Sequence, residues 1–231
     1  MKNILIPLLA IVVLVSCTTD EKGLMLVTGD VKGLKKGTLY LQKMNDSILI
    51  SVDSIVLDGV STFSLSDEIE SPEIYYLALN DDPVKKIQFF GDVGTIDIQT
   101  KLDKFSFSTS ITGLKNQQLL VTYNDMIQDY RNRNLELIEA EFEVRKSNDS
   151  VKIDSVQNLF QSLVKSRYRY TINYAITNAD AEIAPYLALT ELYNANIVWL
   201  DSVNNSLSKE VKSSKYGKRL DKYISEIKSK E

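Results

Sequence analysis

Near residue 113 the hydrophobic rhythm of the chain changes, and that change constrains the fold more than any other feature. Before it, from Leu24 to about Ile111, short runs rich in Val, Ile, Leu, Tyr and Phe are cut by Gly, Asp, Asn and Pro. That is the pattern of strands joined by turns. Thr95-Ile96-Asp97-Ile98-Gln99 and Phe105-Ser106-Phe107-Ser108 alternate strictly, which gives one buried and one wet face. Strands are expected near Leu24–Val31, Thr38–Lys43, Leu49–Val56, Ser61–Leu65, Ile74–Leu79, Lys86–Phe90, Thr95–Gln99 and Phe105–Ile111. Asp58-Gly59 signals a tight turn, and Gly33 with Gly37 brackets another. Strands so closely spaced, without helical pattern between them, suggest an antiparallel β-sandwich or a partly open barrel.

After it, Leu119, Tyr123, Met126, Tyr130, Arg133, Leu137, Ala140 and Val144 advance by fours and threes, which lays them along one helical stripe. Asn148-Asp149-Ser150 interrupts this helix. A second stripe follows through Val156, Phe160, Leu163, Arg167, Tyr170 and Tyr174, with Asp154 or Ser155 as its cap. Shorter helices are expected over Ile183–Tyr193, with Pro185 in the first turn, and over Ile197–Ser206. A last helix is expected from about Ser214 to Ile227, although Gly217 weakens it. The fold class is therefore α+β: a β-domain over 24–113 and an all-helical segment over 114–231.

The first residues read as a leader. Lys2 supplies a positive charge, Ile4 to Val15 an apolar core, and Ser16 a small residue at a cleavage point. The apolar run is short of the roughly 20 residues a membrane-spanning helix needs, and Pro7 lies inside it. Leu14-Val15-Ser16-Cys17 resembles the lipobox of bacterial lipoproteins. The resemblance implies removal of a signal peptide over 1–16, a diacylglyceryl thioether on Cys17 and acylation, for example by palmitate, of the new N-terminus. Residues 17–23 then form a lipidated tether whose polar part, Thr18 to Lys22, reaches roughly 20 Å. The expected location is the bacterial cell envelope, at the outer membrane, facing the periplasm or the surface. Asp20 and Glu21 resemble the surface-export signal of some Gram-negative lipoproteins, and also suit a plain solvated linker.

Composition closes several chemistries. The sequence has no histidine, which excludes histidine-based triads and metal sites. Its single cysteine is Cys17, whose sulfur the lipid would consume, leaving no disulfide, thiolate nucleophile or thiolate ligand. The net charge of −4 falls to about −5 once Lys2 leaves with the leader. No metal loop and no phosphate-cradling glycine motif is present. No cofactor is expected.

Further motifs of the β-region carry a family resemblance. Gly29, then Gly37-Thr38-Leu39-Tyr40-Leu41, Asp53-Ser54, Val56, Asp58-Gly59 and Phe63 resemble domain of unknown function 4369. Gly91-Asp92-Val93-Gly94-Thr95-Ile96, Ile111-Thr112-Gly113 and Ser214-Lys215-Tyr216-Gly217 extend the likeness. The resemblance implies a module standing in front of a thioredoxin-like domain of the peroxiredoxin type on envelope lipoproteins. This chain is expected to stop near where that domain would begin. It has no Cys-x-x-Cys, so oxidoreductase activity does not carry over.

Five Asp-Ser steps followed by Ile or Val resemble a bacterial O-glycosylation acceptor, and equally suit turn and cap chemistry. Turn chemistry suits Asp53. Ser150 and Ser155, expected in a helix connection, are the candidate acceptors. Lys165-Ser166-Arg167-Tyr168-Arg169-Tyr170 interleaves bases with aromatics, yet on a helix of an acidic chain it reads as core edge rather than nucleic-acid contact. Tyr168, Tyr170, Tyr174, Tyr186, Tyr193 and Trp199 suit core filling first and a groove for peptide, glycan or lipid second. Glu136, Glu139, Glu141 and Glu143 fall on different helix faces, with Arg145 and Lys146 to offset them. The basic surplus from Lys209 to the C-terminus suits either anionic headgroups or a solvated helix. The expectation is a non-enzymatic envelope lipoprotein, a binding or interaction module. It would be held on the membrane by Cys17 and have a protein or glycan partner. The alternative is an accessory that docks a separate thioredoxin-like oxidoreductase.

Overall fold

The computed structural model describes residues 23–147 and 149–230. Among the described residues eight strands come first: β1 (Gly23–Lys32), β2 (Lys36–Asn45), β3 (Ile48–Asp58), β4 (Thr62–Ile69), β5 (Glu73–Leu79), β6 (Lys86–Gly91), β7 (Gly94–Lys101) and β8 (Ser110–Thr112). Six helices follow: α1 (Lys115–Ser147), α2 (Ser150–Thr177), α3 (Ile183–Glu191), α4 (Ile197–Ser206), α5 (Lys209–Ser213) and α6 (Lys215–Lys228). The strands form two open sheets of order β4-β1-β7-β8 and β3-β2-β5-β6, a sandwich rather than a closed barrel.

Alternation decides the faces. In β1, Met25, Val27 and Val31 point inward, and in β7 Ile96 and Ile98 do the same. They meet Leu39 and Leu41 of β2 with Tyr75 and Leu77 of β5 in one apolar core. Strand β5 breaks the alternation, because both of its faces are covered. Tyr75, Leu77 and Leu79 face the sandwich, while Ile74 and Tyr76 lie under the helices. The turns follow their chemistry: Asp46 sits at φ 53 in the β2–β3 hairpin, and Gly59 at φ 78 just after β3.

Two expectations need correction. The sandwich is not wholly antiparallel, because β1 pairs with β7 in parallel. The short β6–β7 link crosses between sheets instead of turning back within one. The strand expected over Phe105–Ile111 shrinks to β8. Residues Leu102–Lys104 form a 3-10 turn, and the amides of Phe107 and Ser108 both donate to the Lys104 carbonyl. The Thr100 and Thr109 hydroxyls donate to the Phe105 carbonyl at 2.8 and 3.0 Å, so local side chains take the place of a ladder. Phe105 is buried and Phe107 is 90% exposed.

The helical half was better anticipated by periodicity. Asp149, rather than Asp154 or Ser155, caps α2 by accepting from the Lys152 amide. Helix α5 is an addition, capped by Ser208 and anchored by buried Val211. Ser214 caps α6, where Gly217 is required by contact. A Cβ there would lie 2.0 Å from the Val211 carbonyl oxygen. Gly217→Ala should therefore destabilise the protein by about 1–3 kcal/mol through overpacking. Helix propensity alone would make it about 1 kcal/mol more stable. The shift of the urea midpoint reads the sign.

Candidate functional site

The helices seat on the free margin of the β5–β6 pair. The Phe90 amide donates to Gln117 Oε1 at 2.7 Å, and the Ile74 amide to the Tyr216 hydroxyl at 3.0 Å. Buried Asn116 accepts from the Ile183 amide at 3.0 Å and donates to Glu182 and Asp92. Around these bonds the rings of Phe90, Tyr186 and Tyr216 pack with centroids 5.3–6.1 Å apart. A second aromatic cluster joins α1 to α2: Tyr123 stacks on Tyr170, and its hydroxyl lies 2.8 Å from Thr171 Oγ1. Most of the aromatic residues singled out in the sequence are thus core and seam, and the seam leaves a cleft on either side.

The first cleft, of about 710 Å³, lies between the ends of β2 and β5 and the start of α6. Two of its lysines engage acidic partners, and Glu68, Glu70, Glu182, Glu210 and Lys218 line it as well. Lys43 Nζ donates to Asp67 at 2.6 Å and to the Tyr75 hydroxyl at 3.2 Å. Tyr75 donates to the same carboxylate at 2.7 Å. Glu73, only 7% exposed, is held by Lys215 and lies 3.9 Å from Lys43. Lys43, Asp67 and Tyr75 thus tie strands of the sandwich together, and the Lys215–Glu73 pair joins the sandwich to α6.

The second cleft is an open groove of about 790 Å³ between the Ser106-Phe107 turn and helices α1 and α3. Phe107 stands at its rim with its ring in solvent. Opposite are Asn124, Asp125, Gln128 and Arg131, carried on successive turns of α1, and Glu191 at the end of α3. Gln88 Nε2 donates to the Tyr186 hydroxyl at 3.1 Å, fixing the inner wall. Burial pushes Tyr186 up to about 12, so it serves here as a neutral hydroxyl. The arrangement is an aromatic platform facing planar amide, carboxylate and guanidinium groups.

The residues named from sequence fall elsewhere. Cys17 lies outside the described residues. Ser150 begins α2 and Ser155 is already within it, donating to the Val151 carbonyl at 2.8 Å, so neither lies in a free connection. Asp53 is indeed structural: its carboxylate accepts from the Ser66 amide at 2.8 Å and ties β3 to β4. Arg167 lies 5.7 Å from the Tyr168 ring centroid. Glu141 and Glu143 pair with Arg145 and Lys146. Phe107, at the rim of the groove, lies in a turn where alternation predicts a strand, and only the Thr and Ser around it signal the turn.

Residues 25–120 match the family model described as Domain of unknown function (DUF4369). The matched segment runs past the last strand into α1, and so takes in Gln117 and Leu120, which pack on β6. No curated protein matches the chain. Among the described residues no helix is long and apolar enough to cross a membrane.

Tyr216→Phe should cost about 1–3 kcal/mol, because it strands the buried Ile74 amide; urea unfolding measures it. Burial also raises Tyr174 to about 12, from an ordinary 10.0. It pushes Tyr75, Tyr123 and Tyr216 up as well. A raised folded pKa favours the protonated form, so this stability is intact below about pH 10 and lost as pH climbs toward 12. Urea midpoints should fall over that window in step with tyrosinate absorbance.

Proposed function

We propose that this chain is a non-enzymatic lipoprotein of the bacterial envelope, tethered by a lipid on Cys17, whose open groove binds glycan. The groove carries the reading: an exposed aromatic face at Phe107 suits the apolar face of a sugar ring. The amide, carboxylate and guanidinium groups across from it suit hydroxyls. The lack of histidine, the lone Cys17 and the pairing of Asp67 and Glu73 with Lys43 and Lys215 support binding without turnover. The apolar run from Ile4 and the Leu14-Val15-Ser16-Cys17 motif support the tether. The likeness of residues 25–120 to DUF4369 favours a second reading, in which the module docks a separate thioredoxin-like envelope protein.

Calorimetric titration with hexasaccharides of neutral hexoses and of uronic acids tests the groove. Phe107→Ala should weaken binding at least about tenfold, or 1.4 kcal/mol, with unfolding unchanged, since the ring touches little of the fold. Saccharide binding that is indifferent to this substitution, or none at all, removes the glycan reading. Capture of a reduced thioredoxin-like protein by cross-linking in cells would favour the second. Mass spectrometry of the native N-terminus should find an acylated Cys17, and a free thiol there removes the tether.

A further inference from the structure

Helices α1 and α2 form a hairpin that outruns the body it grows from. Among the described residues, no α1 residue beyond Ile127 is buried, although the helix continues to Ser147. At about 1.5 Å per residue that is a projection of roughly 30 Å. A solvated arm of this kind would be polar outside its seam. This one is not: Leu135, Ile138 and Phe142 are 59, 49 and 62% exposed. Their spacing of three then four puts them on one stripe, distinct from the Leu137, Ala140 and Val144 stripe that faces α2. Beside Leu135 the stripe borders a groove of about 370 Å³, walled by Tyr130, Leu163 and Val164, with Arg131 and Arg167 also lining it.

We propose that the hairpin is a self-association surface on which two copies pack antiparallel about a twofold axis near Ile138. Phe142 of each copy then enters the groove beside Leu135 of the other. The fit is self-complementary in shape, because plug and groove lie on either side of Ile138 along the same face, as an isologous contact requires. The groove suits an aromatic ring, since Tyr130, Leu135, Leu163 and Val164 give it apolar walls. In the single chain the Phe142 ring already draws a cation, Lys146 Nζ, 4.2 Å from its centroid. Charge sets the direction. Residues 136–154, the tip, carry a net charge of −3, and residues 125–133 with 161–170, at the base, carry +3. Antiparallel packing lays each acidic tip over a basic base, whereas parallel packing sets like over like. The same acidic tip disfavours an anionic lipid surface as the occupant.

Sedimentation of the full chain in a non-ionic detergent, with one Ile138→Cys and one Val121→Cys variant treated with a short bis-maleimide, tests the proposal. The parent should sediment as a dimer, with a dissociation constant that rises with salt as the charges are screened. Phe142→Ala should raise that constant at least about tenfold with an unchanged unfolding curve. Ile138→Cys should cross-link to a dimer, and Val121→Cys, near the foot of α1, should not. The parent without an engineered cysteine controls for Cys17. A monomeric parent, a dimer indifferent to Phe142→Ala, or cross-linking through Val121→Cys alone overturns the proposal. So does hairpin-dependent binding to phosphatidylglycerol vesicles by a chain that stays monomeric. These readouts do not involve saccharide, so they stand apart from the groove reading.

Discussion

Two backbone amides at the end of the β5–β6 pair determine how the two halves of this protein meet. Strand β6 is an edge, and β5 runs past the last residue that β2 pairs with, so the Phe90 and Ile74 amides have no partner within the sheet. Left buried and unpaired, each would cost about 1–3 kcal/mol. Gln117 from α1 and Tyr216 from α6 satisfy them, and in doing so fix where both helices sit. The apolar cluster around Phe90, Leu120, Leu187 and Tyr216 fills in behind. The sheet edge is thus blunted by a helix, one of the ordinary ways of protecting an edge from unwanted pairing.

The two clefts flanking this seam differ in kind although both are polar. One is bordered by the ion pairs of Lys43 and Lys215 with Asp67 and Glu73. The other sets an exposed ring beside polar side chains, some of which, such as Gln88 and Gln128, already bond within the protein. Half-buried charges that are partnered hold a geometry. The exposed ring of Phe107 is what favours the second cleft as the proposed binding surface.

Much of the fold was legible in the sequence because burial on one face leaves a periodic trace. Ile96 and Ile98 gave β7, and the steps of four and three from Leu119 gave α1. The direction of β7 was not legible, because alternation reports which face is buried and says nothing of which way a strand runs. The Phe105–Ser108 segment misled for a related reason. Its alternation is genuine, but Thr100 and Thr109 compete for the Phe105 carbonyl, and hydroxyl competition of that sort has no period. The candidate groove was out of reach altogether. It joins Gln88 and Phe107 to residues of α1 and α3, and only the contacts of the seam bring those stretches together.

The place of β1 in its sheet has a mechanical consequence. It is an interior strand, hydrogen-bonded to β4 on one side and β7 on the other, and it follows directly on the segment proposed as the tether. Force transmitted from an anchored N-terminus would act along the strand axis and load both ladders together in shear. An edge strand in the same position would be peeled away one hydrogen bond at a time. A body held by its first strand would therefore resist being pulled open from the end that its anchor holds.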